Sequence, residues 1–415
     1  MDAIKYLYPR PLERSLSAAL ADTPAVAIIG PRQCGKSTLA RSCDPARSYL
    51  SLDDEAILRT ARDDPMGFVA SLPDPVTIDE VQRAPALFRA IKGSVDRDRR
   101  SGRFLLTGSA DLMLLPQLSD SLAGRIEFIP LQPLTEAEKA RSAGGFLAVL
   151  LAGEIKGAIK GDSRELVSPL AARLVAGGYP EPLTRSPDRA RQWHRAYLKA
   201  VALRDVQDIA RVRDATEILR LLELLALRNA ELLNTSNLAQ ELGMDRKTVD
   251  HYLAILERLF LVRLLPAWHR NEAKRLVKAP KVHLIDSGLA ATLAGLTAEE
   301  WNSRRDRFGH LLESFVVQQL VAQAGWTDPD LRFWHYRDKD QVEVDLVITR
   351  GRETWGVEVK ASASVLESDG RGLRRLAEQC GRDFKGGVLF HSGTSTLPMS
   401  DPRFLAVPLA KLWEM

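Results

Sequence analysis

The chain has 415 residues, a formal net charge of +4, 45% hydrophobic and 27% charged residues. That length fits two or three domains, the composition is that of an ordinary globular chain, and no apolar run reaches the roughly 18 residues needed to cross a bilayer. Three cysteines without a CxxC pair, Cys34, Cys43 and Cys380, argue against a disulfide framework and a cysteine-rich zinc site. The first residues carry no basic start followed by an apolar core, so the expected location is cytoplasmic, with no membrane partner.

Short apolar runs at 25–29, 49–52, 76–78 and 104–107 alternate with amphipathic stretches, which predicts parallel strands joined by helices. Directly after the first run, Gly30-Pro31-Arg32-Gln33-Cys34-Gly35-Lys36-Ser37 fits GxxxxGK[ST], and Thr38 continues into a helix. In such a loop backbone N–H groups wrap the phosphates of ATP, Lys36 neutralises β/γ charge and Ser37 coordinates Mg²⁺. The third run ends in Asp79-Glu80 at the carboxyl end of its strand; Asp79 is expected to hold Mg²⁺ and Glu80 to orient the attacking water. The fourth ends in Thr107-Gly-Ser109, either a γ-phosphate sensor or a plain strand-to-turn transition. Arg125 is a candidate for stabilising transferred charge, from its own subunit or a neighbour, with Arg204 behind it; a surface arginine is the alternative. Cys34, inside the loop, is expected to confer thiol sensitivity if it is accessible.

The ATPase core is expected over residues 1–140, followed by a helical lid or linker over 141–230 that includes Gly144-Gly145, Gly157 to Gly161 and the turn-rich Gly177-Gly-Tyr-Pro180. Ile218, Leu221, Leu222 and Leu225 form one helical stripe. Over 231–290 two short helices meet at Gly243, the second starting at an Asp245 cap, with Val249, Leu253, Leu256 and Leu259 facing inward. This pattern suits a winged helix. Arg246 and Lys247 would lie at the exposed helix start, and Arg270, Lys274, Arg275 and Lys278, with His269, in a basic wing, a set suited to DNA phosphates or to a protein partner. The last region, 291–415, returns to mixed helix and strand. There Glu343-Val-Asp345 and Glu358-Val-Lys360 read as strands whose charged residues share a face, while Val357 and Val359 point inward; an amphipathic helix over 309–320 brings Glu313 toward them. Metal-assisted phosphodiester hydrolysis would use Asp345, Glu358 and Glu313 on Mg²⁺ with Lys360 at the attacking water; solvated charges on a half-exposed strand are the alternative.

These motifs together resemble a bacterial and archaeal family of AAA+ ATPases with a C-terminal domain of uncharacterised function related to the PD-(D/E)XK nuclease fold. The residues carrying the resemblance are Gly30 to Ser37, Thr77-Ile-Asp-Glu-Val-Gln82, Leu106-Thr-Gly-Ser109, Leu122-Ala-Gly-Arg125, Gly177-Gly-Tyr-Pro180, the helical pair, Asp286-Ser-Gly-Leu289, and the two acidic strands; Val344 stands where a proline often precedes the aspartate. The resemblance implies an α/β protein: a P-loop AAA+ core with a parallel sheet, a helical and winged-helix middle, and a C-terminal restriction-endonuclease-like domain. The expected function is ATP hydrolysis acting on DNA, with metal-dependent cleavage or, alternatively, a nucleotide-gated switch that binds DNA or a protein without cutting. A plain transcription regulator would leave the P-loop idle. An arginine acting between subunits would require a homo-oligomer.

Overall fold

The computed structural model describes residues 8–109, 124–142, 145–155, 167–202, 206, 215–270 and 278–414. Two compact units result, one formed mainly by residues through Pro133 and the other mainly by residues from Leu134 onward.

The first unit opens with α1 (Leu12–Asp22) and continues as β1 (Ala25–Ile29), α2 (Lys36–Cys43), β2 (Ser48–Ser51), α3 (Glu55–Asp63), α4 (Pro65–Ser71), β3 (Val76–Asp79), α5 (Leu87–Arg97), β4 (Phe104–Gly108) and β5 (Ile126–Pro130). Asp54 caps α3 through the N–H groups of Ala56 and Ile57, and Pro65 stands at the first turn of α4, where its missing N–H costs nothing. The strands form one parallel sheet in the order β2-β3-β4-β1-β5. Every residue of β1 and β4 is buried, as expected of central strands covered on both faces. One side of the core joins Ala27, Ile29, Ile78 and Leu106 to Phe88 and Ile91 of α5. Because β4 lies between β1 and β3, the carboxyl ends of these three strands stand side by side.

In the second unit the helix Arg305–Thr327 acts as a spine. It is not the amphipathic helix its sequence suggests: Glu313, Ser314, Gln319 and Gln323 are buried along with Phe308, Leu312 and Phe315. Two of those polar side chains serve other helix starts, Gln319 accepting from the N–H of Glu136 and Gln323 from that of Leu147. The helix Ala215–Leu227 buries the expected stripe of Ile218, Leu221, Leu222 and Leu225. Helices Thr235–Leu242 and Arg246–Arg258 flank Gly243, which takes the left-handed conformation (φ +67°) that ends the first of them. A two-stranded antiparallel sheet follows, β6 (Val262–Leu265) and β7 (Lys281–Leu284). The last region forms a six-stranded mixed sheet from β8 (Arg332–Arg337), β9 (Glu343–Arg350), β10 (Glu353–Val359), β11 (Phe384–His391), β12 (Leu397–Pro398) and β13 (Phe404–Pro408), ordered β12-β13-β11-β10-β9-β8. The helix Arg371–Cys380 links the parallel neighbours β10 and β11. Among the described residues no helix is long and apolar enough to cross a membrane.

The Gly177-Gly-Tyr-Pro and Asp286-Ser-Gly-Leu motifs meet in this unit. Asp286 accepts from the N–H of Gly178 at 2.6 Å and caps its own helix through Leu289 at 2.9 Å. A Cβ on Gly177 would lie 2.4 Å from the Asp286 carboxylate, and one on Gly288 2.8 Å from His194, so both positions require glycine for close approach. Gly144, Gly157 and Gly161 lie outside the described residues.

Candidate functional site

The loop from Gly30 to Ser37 leaves the carboxyl end of β1 and enters α2, with Gly35 at φ +107° as the last residue before the helix. Gly30 is fixed by space: a Cβ there would fall 2.1 Å from the carbonyl oxygen of Leu131. Arg10, itself buried, braces the loop by donating to the carbonyls of Cys34 at 3.3 Å and Gln132 at 2.6 Å. Pro31 is buried, Arg32 and Ser37 are half-buried, and Gln33 and Thr38 are exposed. The Lys36 ammonium folds onto its own loop, donating to the carbonyls of Gly30 at 3.0 Å and Pro31 at 2.8 Å. Cys34 departs from expectation. Its thiol is fully buried against the Leu131 carbonyl, and burial pushes its pKa up, so neither access nor thiolate chemistry favours oxidation.

Asp79 ends β3 and collects three hydroxyls. Ser37 donates across both carboxylate oxygens at 2.9 and 3.1 Å, Tyr49 of β2 donates at 2.6 Å, and Thr107 of β4 donates to Oδ1. Burial, then the bond to Asp79, pushes the Tyr49 phenol up to about 12, while the Arg41 guanidinium covers its ring at 4.0 Å. Glu80 follows in the left-handed region (φ +58°), an uncommon conformation for this residue type and one that concentrates at functional sites. Its N–H donates to Thr107 Oγ1 at 3.1 Å, and its carboxylate accepts from Ser109 at 3.1 Å and from Gln82. Gln82 also donates to Ser109 at 2.8 Å. Thr107 and Ser109 thus tie β4 to both acidic residues. A serine hydroxyl beside a carboxylate is a hard oxygen donor pair of the kind that suits Mg²⁺. Tyr49 and Arg10 carry no motif and were not identifiable from sequence.

Arg125 lies elsewhere. β5 runs parallel to β1 with Ala25 opposite Ile126, so Arg125 stands at the amino ends of the strands, roughly 16 Å along the sheet from the loop that follows Ile29. There it pairs with Asp96 at 2.5 Å. This geometry removes a role at its own subunit's phosphates. Arg204 lies outside the described residues.

In the second unit Glu313, Asp345 and Glu358 converge, but not in the predicted manner. Glu358 is 5% exposed rather than solvated, because a Cβ on Gly372 of the helix Arg371–Cys380 would come within 2.3 Å of its Oε1. Val359, expected inward, is only half-buried. Asp345 accepts from the Val359 N–H at 2.8 Å, and Lys360 Nζ lies 3.9 Å from Glu358. The ammonium of Lys281, from β7, enters the cluster at 2.7 Å from Glu313, 3.6 Å from Glu343 and 3.8 Å from Asp345. Burial and the neighbouring Asp345 charge push Glu313 up to about 8, and the same two causes raise Glu358 well above the carboxylate range. For Lys281 burial works against the charge, yet Glu313 and Asp345 outweigh it and hold the lysine above its ordinary value. Among the described residues no three His, Cys, Asp or Glu side chains are arranged to hold a metal ion. With an ammonium seated among its carboxylates, the cluster does not fit Mg²⁺.

Arg246 and Lys247 are exposed at the start of their helix, where the Asp245 carboxylate accepts from the Lys247 N–H at 3.2 Å and Arg246 lies 3.7 Å from Asp250. Arg270 is exposed, and the exposed Lys278 donates to the Arg337 carbonyl at 3.3 Å. Lys274 and Arg275 lie outside the described residues.

Residues 22–139 match the model of an AAA domain, residues 168–300 a domain of unknown function (DUF8612), and residues 308–412 another (DUF4143). Uncharacterized protein Rv2008c of Mycobacterium tuberculosis and Uncharacterized protein Mb2031c of Mycobacterium bovis are each 30% identical over 352 residues, covering 84% of this chain and 73% of the relative. Among solved structures, the Walker-type ATPase PABY2304 of Pyrococcus abyssi aligns with a TM-score of 0.39 at 16% identity, over 68% of this chain and 94% of that one. The chain belongs to the family of the two mycobacterial proteins, and its residues 22–139 carry an AAA domain that includes the Gly30–Ser37 P-loop.

Proposed function

We propose that this chain hydrolyses ATP with Mg²⁺ at the Gly30–Ser37 loop. The convergence of the Ser37, Tyr49 and Thr107 hydroxyls on Asp79 carries the reading, since it fixes a hydroxyl and a carboxylate side by side beside the loop, where they would hold Mg²⁺. Lys36 leaves the Gly30 and Pro31 carbonyls for the β/γ-phosphates, an exchange of two neutral acceptors for charged ones. Backbone N–H groups from Arg32 to Thr38 take the remaining phosphate oxygens. Ser37 and Asp79 would hold Mg²⁺, which supplies neutralisation of the charge that develops on the phosphates. Glu80, steadied by Ser109 and Gln82, orients the attacking water.

Steady-state ATP turnover of wild type, Lys36→Ala and Glu80→Gln tests this. Each variant is expected to lose about 100-fold or more. Glu80→Gln should still bind nucleotide. Turnover at the wild-type rate in both would end the proposal.

DNA is the proposed partner of the second unit, on the observation that Arg246 and Lys247 stand exposed at the start of a helix preceded by a turn. Duplex DNA binding should weaken as salt rises, and Arg246→Ala with Lys247→Ala should reduce its salt slope by about 2. An unchanged slope would favour the alternative of a nucleotide-gated switch bound to a protein.

A further inference from the structure

We infer that Lys281 is the resident cation of the Glu313, Glu343, Asp345 and Glu358 cluster, its ammonium standing in for a divalent metal, so that the C-terminal sheet is a non-cleaving module clamped to β7. Two independent observations carry this. The first is the assignment of partners: Glu313 and Asp345 face Lys281 at 2.7 and 3.8 Å, Glu343 has Arg337 at 2.8 Å as well as Lys281, and Glu358 has Lys360 at 3.9 Å. Asp345 also receives the Val359 N–H. A divalent ion drawn to these oxygens would therefore meet an ammonium held against the same carboxylates, and Mg²⁺ demands oxygen ligands at about 2.0–2.1 Å in a nearly octahedral set. The Lys281 side chain is 5% exposed, so it cannot withdraw into water without moving β7.

The second observation is access. The helix Arg371–Cys380 lies directly on the cluster at Gly372, where a Cβ would sit 2.0 Å from the Glu343 carbonyl oxygen and 2.3 Å from Glu358 Oε1. On that side a phosphodiester has no approach to the carboxylates. Lys281 does connect something: β7 pairs with β6, and just beyond β6 the chain bonds to β8, with His335 donating to the Pro266 carbonyl at 2.9 Å and accepting from Trp268 at 2.6 Å. The lysine and these backbone bonds fasten the two-stranded sheet to the six-stranded one. The carboxylates act as an electrostatic joint around a buried lysine.

The test uses full-length, nucleotide-free protein and Mn²⁺ as the probe, with bound Mn²⁺ counted by electron paramagnetic resonance. Wild type and Asp345→Asn are expected to bind the same number of ions, because the cluster takes none; a site present in wild type and missing in Asp345→Asn overturns the inference. Lys281→Met should melt lower than wild type, gain a Mn²⁺ site that restores part of the loss, and lose that site again in the Lys281→Met/Asp345→Asn double variant. A folded Lys281→Met that gains no site also overturns it. Should Lys281→Met not fold, the wild-type and Asp345→Asn comparison decides alone.

Discussion

Tyr49→Phe removes one oxygen and leaves the ring under Arg41 in place, so it isolates the hydrogen bond to Asp79. A bond to a charged acceptor contributes about 1.5–3 kcal/mol, and the half-buried position of Tyr49 puts it at the lower end. Asp79 keeps Ser37 and Thr107, so the carboxylate stays in place but loses the shorter of the two bonds to its Oδ2, the 2.6 Å bond from Tyr49, and keeps the 3.1 Å bond from Ser37. If the orientation of that oxygen matters most when charge develops on the phosphates, about 1.4 kcal/mol appears in the barrier and kcat falls about tenfold. The Mg²⁺ concentration for half-maximal rate should rise in parallel, while the melting temperature moves little. Steady-state turnover across a Mg²⁺ series measures both. A rate within twofold of wild type with an unchanged Mg²⁺ midpoint would refute the assignment of Tyr49 as a positioning residue.

Gly30→Ala should weaken binding of a fluorescent ATP analogue at least about tenfold, because its Cβ meets the Leu131 carbonyl at 2.1 Å and relieving that contact costs 1–3 kcal/mol or more. Asp286→Ala leaves the N–H groups of Gly178 and Leu289 without their acceptor in a buried site; a loss of about 3 kcal/mol is expected, read as a lower urea midpoint. Acid should destabilise the second unit through His335, whose pKa burial lowers from 6.5 to about 4. A base depressed in the folded state contributes stability that is fully present above pH 6.5 and is lost as pH falls toward 4, up to roughly 3 kcal/mol at the end of that window. His283, fully buried with neither ring nitrogen hydrogen-bonded among the described residues and its pKa held by burial well below the ordinary value, adds to the same limb. His335→Asn should flatten the fall in melting temperature between pH 6.5 and 4; an unaltered slope would contradict the burial argument.

The first unit was legible where its signals were contiguous. A buried run, a glycine-lysine-serine loop and a second run ending in Asp79-Glu80 each occupy a few adjacent residues, and the parallel sheet follows from their repetition. Tyr49 was not legible, because its approach to Asp79 depends on β2 lying next to β3, and sheet order is a property of the whole chain. The same holds for Arg125: which end of β5 it occupies is set by the parallel register with β1, which no local pattern reveals. In the second unit alternation puts Glu343 and Asp345 on one strand face and Glu358 with Lys360 on another, and the structure gathers Glu313, Glu343 and Asp345 around Lys281. The rule supplied no cover for them, however, since it treats one face of a sheet as open to water, whereas the helix through Gly372 closes over Glu358. Lys281 carries no signal in the sequence, because nothing local distinguishes a lysine bound for solvent from one bound for three carboxylates.

The joint at Lys281 and the bracket at Asp286 bear on how this region can be rearranged. Residues 231–290, the stretch expected to form a winged helix, contain one partner of each of these contacts, Lys281 and Asp286. Cutting there would carry Asp286 away from Gly178 and Lys281 away from Glu313, stranding an N–H on one side and a buried acid on the other. A graft of this stretch would therefore have to import Gly177, Gly178, Glu313 and Asp345 together with the helices, whereas the exposed Arg246 and Lys247 can be changed in place without touching either contact.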